Sequence, residues 1–210
     1  MDDAPRPVGL VAEVKHATYF DQAGLPMAPL VEDALAAAGW RGDGRLTVES
    51  FEKTVLSDLG SRGVGGRLVY LQEARGSAAD EVAAHGSAAP TFADERTDVA
   101  LRALAEQFSG ISVDLRTLMA GVDAVALDDP RPVRSDVVER AHAAGLQVFT
   151  WTLRPENRFL PAPLRRGGEV AGFGDWERWY TSVIRTGVDG VFADHTDLAV
   201  RARAAVGGRA

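Results

Sequence analysis

The chain of 210 residues contains no cysteine, which excludes disulfides, thiolate catalysis and cysteine-ligated metals. It has no apolar run long enough to span a bilayer. Its first residues, MDDAPRPVG, have neither the basic nor the apolar region of a secretory signal. Acidic residues outnumber basic ones by 30 to 23, and the net charge of -7 argues against nucleic acid or an anionic membrane as the main partner.

What the chain does contain is an alternation of short β-rich runs with stretches of helical period. Strands are predicted at six places: 8–15, 45–51, 66–74, 111–114, 147–153 and 189–195. Helices are predicted at 29–40, 52–63, 98–110, 136–146, 176–187 and from Thr196 or Asp197 onward, while 122–127 fits either state. This alternation predicts a parallel α/β fold, in which functional groups collect at the carboxyl ends of the strands.

No glycine-rich phosphate loop, GxGxxG or GxxxxGK[ST], follows any predicted strand, which argues against a doubly wound sheet. A β/α barrel is favoured, although a complete barrel needs eight units and about 250 residues, and only six are visible. With 46% hydrophobic residues, the chain is expected to form a single domain over residues 1–210. Two long polar segments, 75–98 and 154–175, are expected to be functional loops, and the first of them is expected to contain a short helix.

The first predicted strand, in VGLVAEVKHATYF, carries Glu13 and Lys15 near its end. Successive side chains of a strand alternate between faces, so these two residues share a face with Val11. In a barrel that face is the lumen, close to the mouth, where a carboxylate can bind a metal ion and an ammonium can meet a phosphate. A Glu/Lys pair that serves packing only, or a lysine whose head reaches solvent, stays open as the alternative.

Four segments, in order, resemble the glycerophosphodiester phosphodiesterase family in its larger bacterial form: EVKHATYF, LTVESFE, AHAAGLQVFTWTLRPENRFLP and GVDGVFADHTDLAV. The resemblance implies a TIM barrel that hydrolyses glycerophosphodiesters to an alcohol and glycerol 3-phosphate. It also implies a divalent cation, Ca²⁺ or Mg²⁺, and a pair of histidines as general acid and base. The resemblance covers the third through eighth β/α units, so the expected fold class is an incomplete TIM (β/α)8 barrel.

Site roles follow from the resemblance, position by position. Glu13 would be a metal ligand, and Lys15 a catalytic residue that neutralises charge on the phosphoryl group. Trp151 matches an aromatic residue that lines the substrate pocket, with a barrel-core role as the alternative. Glu49 stands where the family often has glutamine; it would line the pocket and either assist the cation or pair with Lys15, and the pairing is favoured. Asp194 would form hydrogen bonds or cap a helix.

The four histidines are not assigned to catalysis. His142 lies on a predicted helix and is expected to be structural, and His195 to pack at a helix start. His16 follows Lys15 directly and should point to the opposite face of the strand. His85 lies in the polar segment 75–98 and is left unassigned.

The sequence departs from the family pattern before Glu13, where neither a His-Arg motif nor a Glu-x-Asp strand is present. Three explanations compete: a truncated form of a longer enzyme, a half-barrel that associates with another chain through exposed edges, and a non-catalytic remnant that binds glycerophosphate. Truncation is favoured, so the chain alone is expected to be inactive. Localisation stays open, because export would depend on a signal in the full-length parent, which would be periplasmic or secreted.

Overall fold

The computed structural model describes residues 7–120 and 135–207. Across these residues, six parallel strands alternate with helices in an incomplete TIM-like α/β fold, which confirms the predicted fold class. The chain divides into two compact units: residues 1–112 with 144–146, and residues 113–143 with 147–210. Within the described ranges, no helix has the length and apolar character needed to cross a membrane.

The first unit begins with an edge strand and builds its sheet in chain order. Its elements are β1 (Leu10–Val14), α1 (Ala17–Gln22), α2 (Met27–Ala37), β2 (Leu46–Ser50), α3 (Lys53–Ser61), β3 (Arg67–Gln72), α4 (Ala79–His85) and α5 (Asp98–Ala105). A further strand, β4 (Gly110–Asp114), begins in this unit and ends in the second.

The register of the first three strands aligns residues that matter for the site. β1 and β2 are parallel, with Glu13 opposite Glu49, and β2 and β3 are parallel, with Glu49 opposite Val69. In-register residues of parallel strands lie on the same face of the sheet. The two glutamates are therefore side-by-side neighbours on one face.

The core of the first unit is formed where α3 packs on the strands. Val55, Leu56 and Leu59 of α3 are buried, and Leu46 of β2 is fully buried. Gly66 precedes β3 with a φ of 76°, and a Cβ there would lie 2.5 Å from the carbonyl oxygen of Leu46. Only glycine suits both the left-handed backbone and this close approach.

The second unit contains α6 (Leu115–Leu118), α7 (Asp136–Ala143), β5 (Gln147–Leu153), α8 (Trp176–Ile184), β6 (Gly190–Ala193) and α9 (Thr196–Gly207). β5 and β6 are parallel, with Phe149 opposite Gly190. Just before β6, the carboxylate of Asp189 accepts a hydrogen bond from the Val148 amide at 2.7 Å and lies 2.9 Å from Nε2 of His142. His142 thus links α7 to the start of β6, a structural contact of the kind expected for it.

The polar segment between β5 and α8 is organised by one buried amide side chain. Asn157, 5% exposed, donates from Nδ2 to the carbonyl oxygens of Arg166 at 2.6 Å and Glu169 at 2.8 Å. Its Oδ1 accepts the Arg166 amide hydrogen at 2.9 Å. The loop therefore closes on itself around Asn157.

Two short helices were not predicted from the sequence. α1 has six residues and α6 has four, which is too few for a helical hydrophobic period to be recognised. The ambiguous segment 122–127 lies outside the described residues.

Candidate functional site

The carboxyl ends of β1, β2 and β3 open into a cavity of about 340 Å³ within the first unit. The charged and aromatic side chains in its lining are Glu13, Lys15, His16, Phe51, Glu73 and Arg75, among others. This is the end of a parallel sheet at which α/β proteins bind their ligands. The predicted residues Glu13 and Lys15 therefore lie together in a cavity wall.

Glu13 and Lys15 form an ion pair across one intervening residue. The Lys15 ammonium lies 3.0 Å from Oε2 of Glu13, and the two side chains are 64% and 27% exposed. Val14, between them in sequence, is buried, as the alternation of faces requires. The Lys15 ammonium contacts Glu13 and not Glu49, so the pairing favoured from the sequence is replaced by a pair between Glu13 of β1 and Lys15 just after the strand.

Glu49 is a buried carboxylate beside this ion pair. The residue is 5% exposed, and its Oε2 finds no hydrogen-bond partner among the described residues. Burial raises the pKa of Glu49 to about 7, and the negative charge of Glu13 adds to this, while the positive charge of Lys15 opposes it. A buried carboxylate oxygen without a partner is costly, so this position calls for an occupant such as a proton or a cation.

Hydrogen bonds fix the strand ends that present these side chains. Ser50, at the end of β2, donates from Oγ to the carbonyl oxygen of Val14 at 2.8 Å and accepts the Glu52 amide hydrogen at 3.1 Å. The Glu52 carboxylate, in turn, accepts the Thr18 amide hydrogen at the start of α1 at 2.7 Å. The carboxyl ends of β1 and β2 are thereby tied together below the cavity.

The loop after β3 is held by a second set of charges. The Lys53 ammonium contacts Glu81 at 2.7 Å and also hydrogen-bonds to Glu95, whose carboxylate accepts the Tyr70 hydroxyl. Burial alone would lower the pKa of Lys53, but its hydrogen bonds to Glu81 and Glu95 outweigh this and raise it. These contacts position the loop that contributes Arg75 and other residues to the cavity wall.

His16 also lines the cavity. It precedes α1 with a φ of 57°, in the left-handed region that few side chains adopt. Alternation along an ideal strand predicted the opposite face for it, but β1 ends at Val14 and the chain turns directly afterwards. The signal available in the sequence was its position immediately after the strand, where alternation no longer applies.

The other candidate residues lie in the second unit or on the surface. Trp151 is a half-buried residue of β5. Asp194 accepts a hydrogen bond from Nε of Arg154 at 2.6 Å, in agreement with the expected hydrogen-bonding role. His195 packs its ring edge-to-face with Phe173, outside the cavity lining.

The oxygen donors at the cavity suit a hard divalent cation, which prefers carboxylate ligands. In the described ranges, no three His, Cys, Asp or Glu side chains converge to hold a metal ion. Glu13 and Glu49 supply two carboxylates on neighbouring strands, one of them with an unpartnered buried oxygen. The residues present therefore fit part of a cation site.

A cavity lined by acidic and basic side chains at the carboxyl ends of parallel strands, in an incomplete TIM-like fold, is typical of a barrel-type α/β protein. Residues 13–198 match the glycerophosphoryl diester phosphodiesterase family. The chain therefore belongs to this family, and the resemblance seen in the four sequence segments is confirmed.

Individual relatives agree with this assignment. Glycerophosphodiester phosphodiesterase GDPD6 of Arabidopsis thaliana is 25% identical over 207 residues, which is 92% of this chain and 50% of the relative. A crystal structure from Silicibacter pomeroyi, assigned to the glycerophosphoryl diester phosphodiesterases, aligns with a TM-score of 0.56 at 20% identity, covering 95% of this chain and 51% of that one.

A glycerophosphodiester phosphodiesterase structure from Parabacteroides distasonis aligns with a TM-score of 0.52 at 15% identity, covering 96% of this chain and 58% of that one. At these identities, the two solved structures show a shared fold alone. The chain spans about half the length of the relatives it matches.

Proposed function

We propose that this chain contributes to the hydrolysis of glycerophosphodiesters to an alcohol and glycerol 3-phosphate. The observation that carries the proposal is the family match over residues 13–198, which includes the Glu13 and Lys15 positions. The cavity that these two residues line is large enough for a small phosphodiester. The substrate is thus a small molecule, in keeping with the acidic net charge of the chain.

Lys15 has the freedom that a role on the phosphoryl group requires. Its side chain is 64% exposed, and among the described residues it is held by the ion pair with Glu13, so the ammonium can leave that carboxylate and approach a phosphate oxygen. Negative charge that builds on the phosphoryl oxygens in the transition state is stabilised by a nearby ammonium. Glu49 is proposed to act beside this cavity, and Trp151, in the second unit, is proposed as a pocket-lining aromatic residue.

Glu13 is proposed as a ligand of a divalent cation, Ca²⁺ or Mg²⁺. Such a cation would supply further charge stabilisation at the phosphoryl group. Glu13 is only 27% exposed, at a strand end fixed by the hydrogen bond from Ser50, so its carboxylate has little freedom to adopt other positions. The family's acid and base histidines are not found before Glu13, and we therefore propose that the chain alone is inactive.

The test compares the chain with a chimera that adds the first two β/α units of the Arabidopsis relative. Release of glycerol 3-phosphate from glycerophosphocholine is measured with Ca²⁺ or Mg²⁺ present. We expect turnover by the chimera, a loss of at least about a hundredfold on Glu13→Gln, and none by the chain alone. Glu106→Gln, which removes an exposed carboxylate at the end of α5 outside the cavity lining, serves as the control and should retain activity.

Metal-dependent turnover by the chain alone, abolished by Glu13→Gln, would contradict the proposed inactivity. A Glu13→Gln chimera with full activity would contradict the assigned site. The nucleotide sequence upstream of Met1 gives an independent check, because an in-frame segment encoding a His-Arg strand and Glu-x-Asp supports truncation.

A second candidate function is glycerophosphate binding without turnover, alone or with a partner chain. Two cationic side chains, Lys15 and Arg75, line the cavity, and both suit a phosphate group. The chimera assay, together with a measurement of glycerol 3-phosphate binding, distinguishes the two functions. Binding of glycerol 3-phosphate together with an inactive chimera favours the binding protein, whereas an active chimera favours the hydrolase.

A further inference from the structure

The inference concerns Glu49, a carboxylate that the family pattern does not use as a metal ligand. Glu49 is opposite Glu13 in the parallel register of β1 and β2, so both side chains leave the same face of the sheet. Neighbouring strands lie about 4.8 Å apart. Side chains at aligned positions of neighbouring strands extend side by side, so one ion bound at the usual calcium–oxygen distance of about 2.4 Å can contact both carboxylates.

Glu49 also has a buried carboxylate oxygen that lacks a hydrogen-bond partner among the described residues. The residue is 5% exposed, and the oxygen is Oε2. Leaving a buried carboxylate oxygen unsatisfied costs free energy comparable to a lost charged hydrogen bond. The neighbouring Glu13 increases this cost by repulsion, because the two like charges face each other across β1 and β2.

Among the described residues, the ammonium that contacts the pair is that of Lys15, and it is bound to Glu13. Lys15 lies 3.0 Å from Oε2 of Glu13, with 64% of its side chain exposed, so it neutralises the accessible member of the pair and leaves Oε2 of Glu49 without a hydrogen bond. When both carboxylates are ionised, the single ammonium leaves one negative charge uncompensated. A small divalent ion can reach both carboxylates where a long ammonium side chain does not.

We infer that Glu49 is a further ligand of a hard divalent cation, which it binds together with Glu13 at the ends of β1 and β2. The inference rests on the proposed function for the choice of a cation as the occupant. The adjoining cavity of about 340 Å³ leaves room for water to complete the coordination shell. Because the Lys15 ammonium contacts Glu13, it competes with the cation for that carboxylate.

The test is a calorimetric titration of the chelator-treated 210-residue chain with CaCl₂, with no substrate present. We expect saturable binding of one ion, and a loss of affinity of at least about tenfold on Glu49→Gln, which keeps the shape and removes the charge. Glu106→Gln removes the same charge from an exposed position at the end of α5, outside the cavity lining, and should bind like the wild type. Lys15→Gln should bind more tightly, since the competing ammonium is gone.

Absence of saturable binding by the wild type would overturn the inference, and so would equal weakening by Glu49→Gln and Glu106→Gln, which would indicate general charge attraction. Circular dichroism of each variant shows whether it is folded. If Glu49→Gln fails to fold, Glu49→Asp replaces it: a ligand role requires weaker binding by the shortened side chain, and unchanged binding overturns the inference. Because turnover is not measured, failure of the hydrolase proposal appears separately, as an inactive chimera that still binds calcium.

Discussion

The chain has two lysines, and both are paired with glutamates in the first unit, but in opposite ways. Lys15 has one carboxylate partner, is 64% exposed, and sits beside a buried carboxylate whose Oε2 has no hydrogen-bond partner in the described ranges. Lys53 has two carboxylate partners and is 22% exposed. At the cavity, the lysine leaves a neighbouring buried carboxylate without a hydrogen bond, whereas in the Lys53 cluster both glutamates contact the lysine.

The difference shows what each arrangement can do. Around Lys53, the Tyr70 hydroxyl also donates a hydrogen bond to Glu95, and burial together with this hydrogen bond raises the pKa of Tyr70, so the hydroxyl stays protonated at neutral pH. Around Lys15, an exposed ammonium, a partly exposed carboxylate and a buried one leave a place for another ion. We therefore expect Lys53 to contribute to stability and Lys15 to binding.

The largest expected effect is on the Lys53 cluster. Lys53→Met should lower the free energy of unfolding by about 3–5 kcal/mol, because it leaves the buried Glu95 carboxylate without its cation. Urea denaturation followed by circular dichroism measures the change. A loss below about 1 kcal/mol, the range of an exposed pair, would remove the contrast between the two lysines.

The next effect is the pH dependence produced by Glu49. Its folded pKa of about 7, against 4.5 for a free side chain, means that the folded state holds a proton that the unfolded chain releases. The resulting stability is present below about pH 4.5 and is lost as pH rises through about pH 7, by up to about 3 kcal/mol. In chelator-containing buffer, Glu49→Gln should flatten this decline and be the more stable protein above about pH 7.

The measurement is the unfolding free energy over a pH series, with Glu73→Gln as the control that keeps the wild-type slope. If the unfolding free energy of Glu49→Gln changes with pH as it does in the wild type, Glu49 does not differ from an ordinary surface carboxylate. The contrast between the cavity and the Lys53 cluster would then be weaker.

A smaller effect tests how the loop after β3 is attached. Asp80 accepts hydrogen bonds from the Thr54 amide at 2.8 Å and its hydroxyl at 2.9 Å, so it caps α3 from a distant part of the chain. Asp80→Ala should cost about 1–2 kcal/mol of stability, as loss of a helix cap does. Asp33→Ala, at an exposed position of α2, is the matched control and should be near neutral. Equal effects of the two variants would contradict the capping role.

The smallest effect on stability is expected at the cavity. Lys15→Gln breaks only a partly exposed ion pair, and should change the free energy of unfolding by about 0–1 kcal/mol. Urea denaturation alongside Lys53→Met gives a direct comparison. A loss as large as that of Lys53→Met would place Lys15 among the structural residues.

The fold and the neighbouring positions of Glu13 and Lys15 could be predicted from the sequence. The alternation of strands with helices and the Glu-x-Lys spacing are both local patterns. The match of residues 13–198 to the family confirmed what four short segments had indicated. The state of Glu49 could not be predicted in the same way. Its neighbour Glu13 is 36 positions away in the chain, and the pairing depends on the register of β1 and β2.

The Lys53 cluster was also beyond sequence reasoning. It joins the start of α3 to Glu81 and Glu95 in a polar segment whose path depends on tertiary contacts. His16 illustrates a third reason. Faces alternate only within a strand, and because the backbone leaves the strand after Val14, His16 lines the cavity and does not point to the opposite face.

The central proposal is that Lys15 is the lysine that binds the phosphate group of the substrate. Calorimetric binding of glycerol 3-phosphate in the presence of Ca²⁺ tests this without turnover, by comparing the wild type with Lys15→Gln and with Arg203→Gln, which removes an exposed positive charge from α9. We predict that Lys15→Gln weakens binding by at least about tenfold while Arg203→Gln does not. Binding by Lys15→Gln equal to that of the wild type would contradict the account.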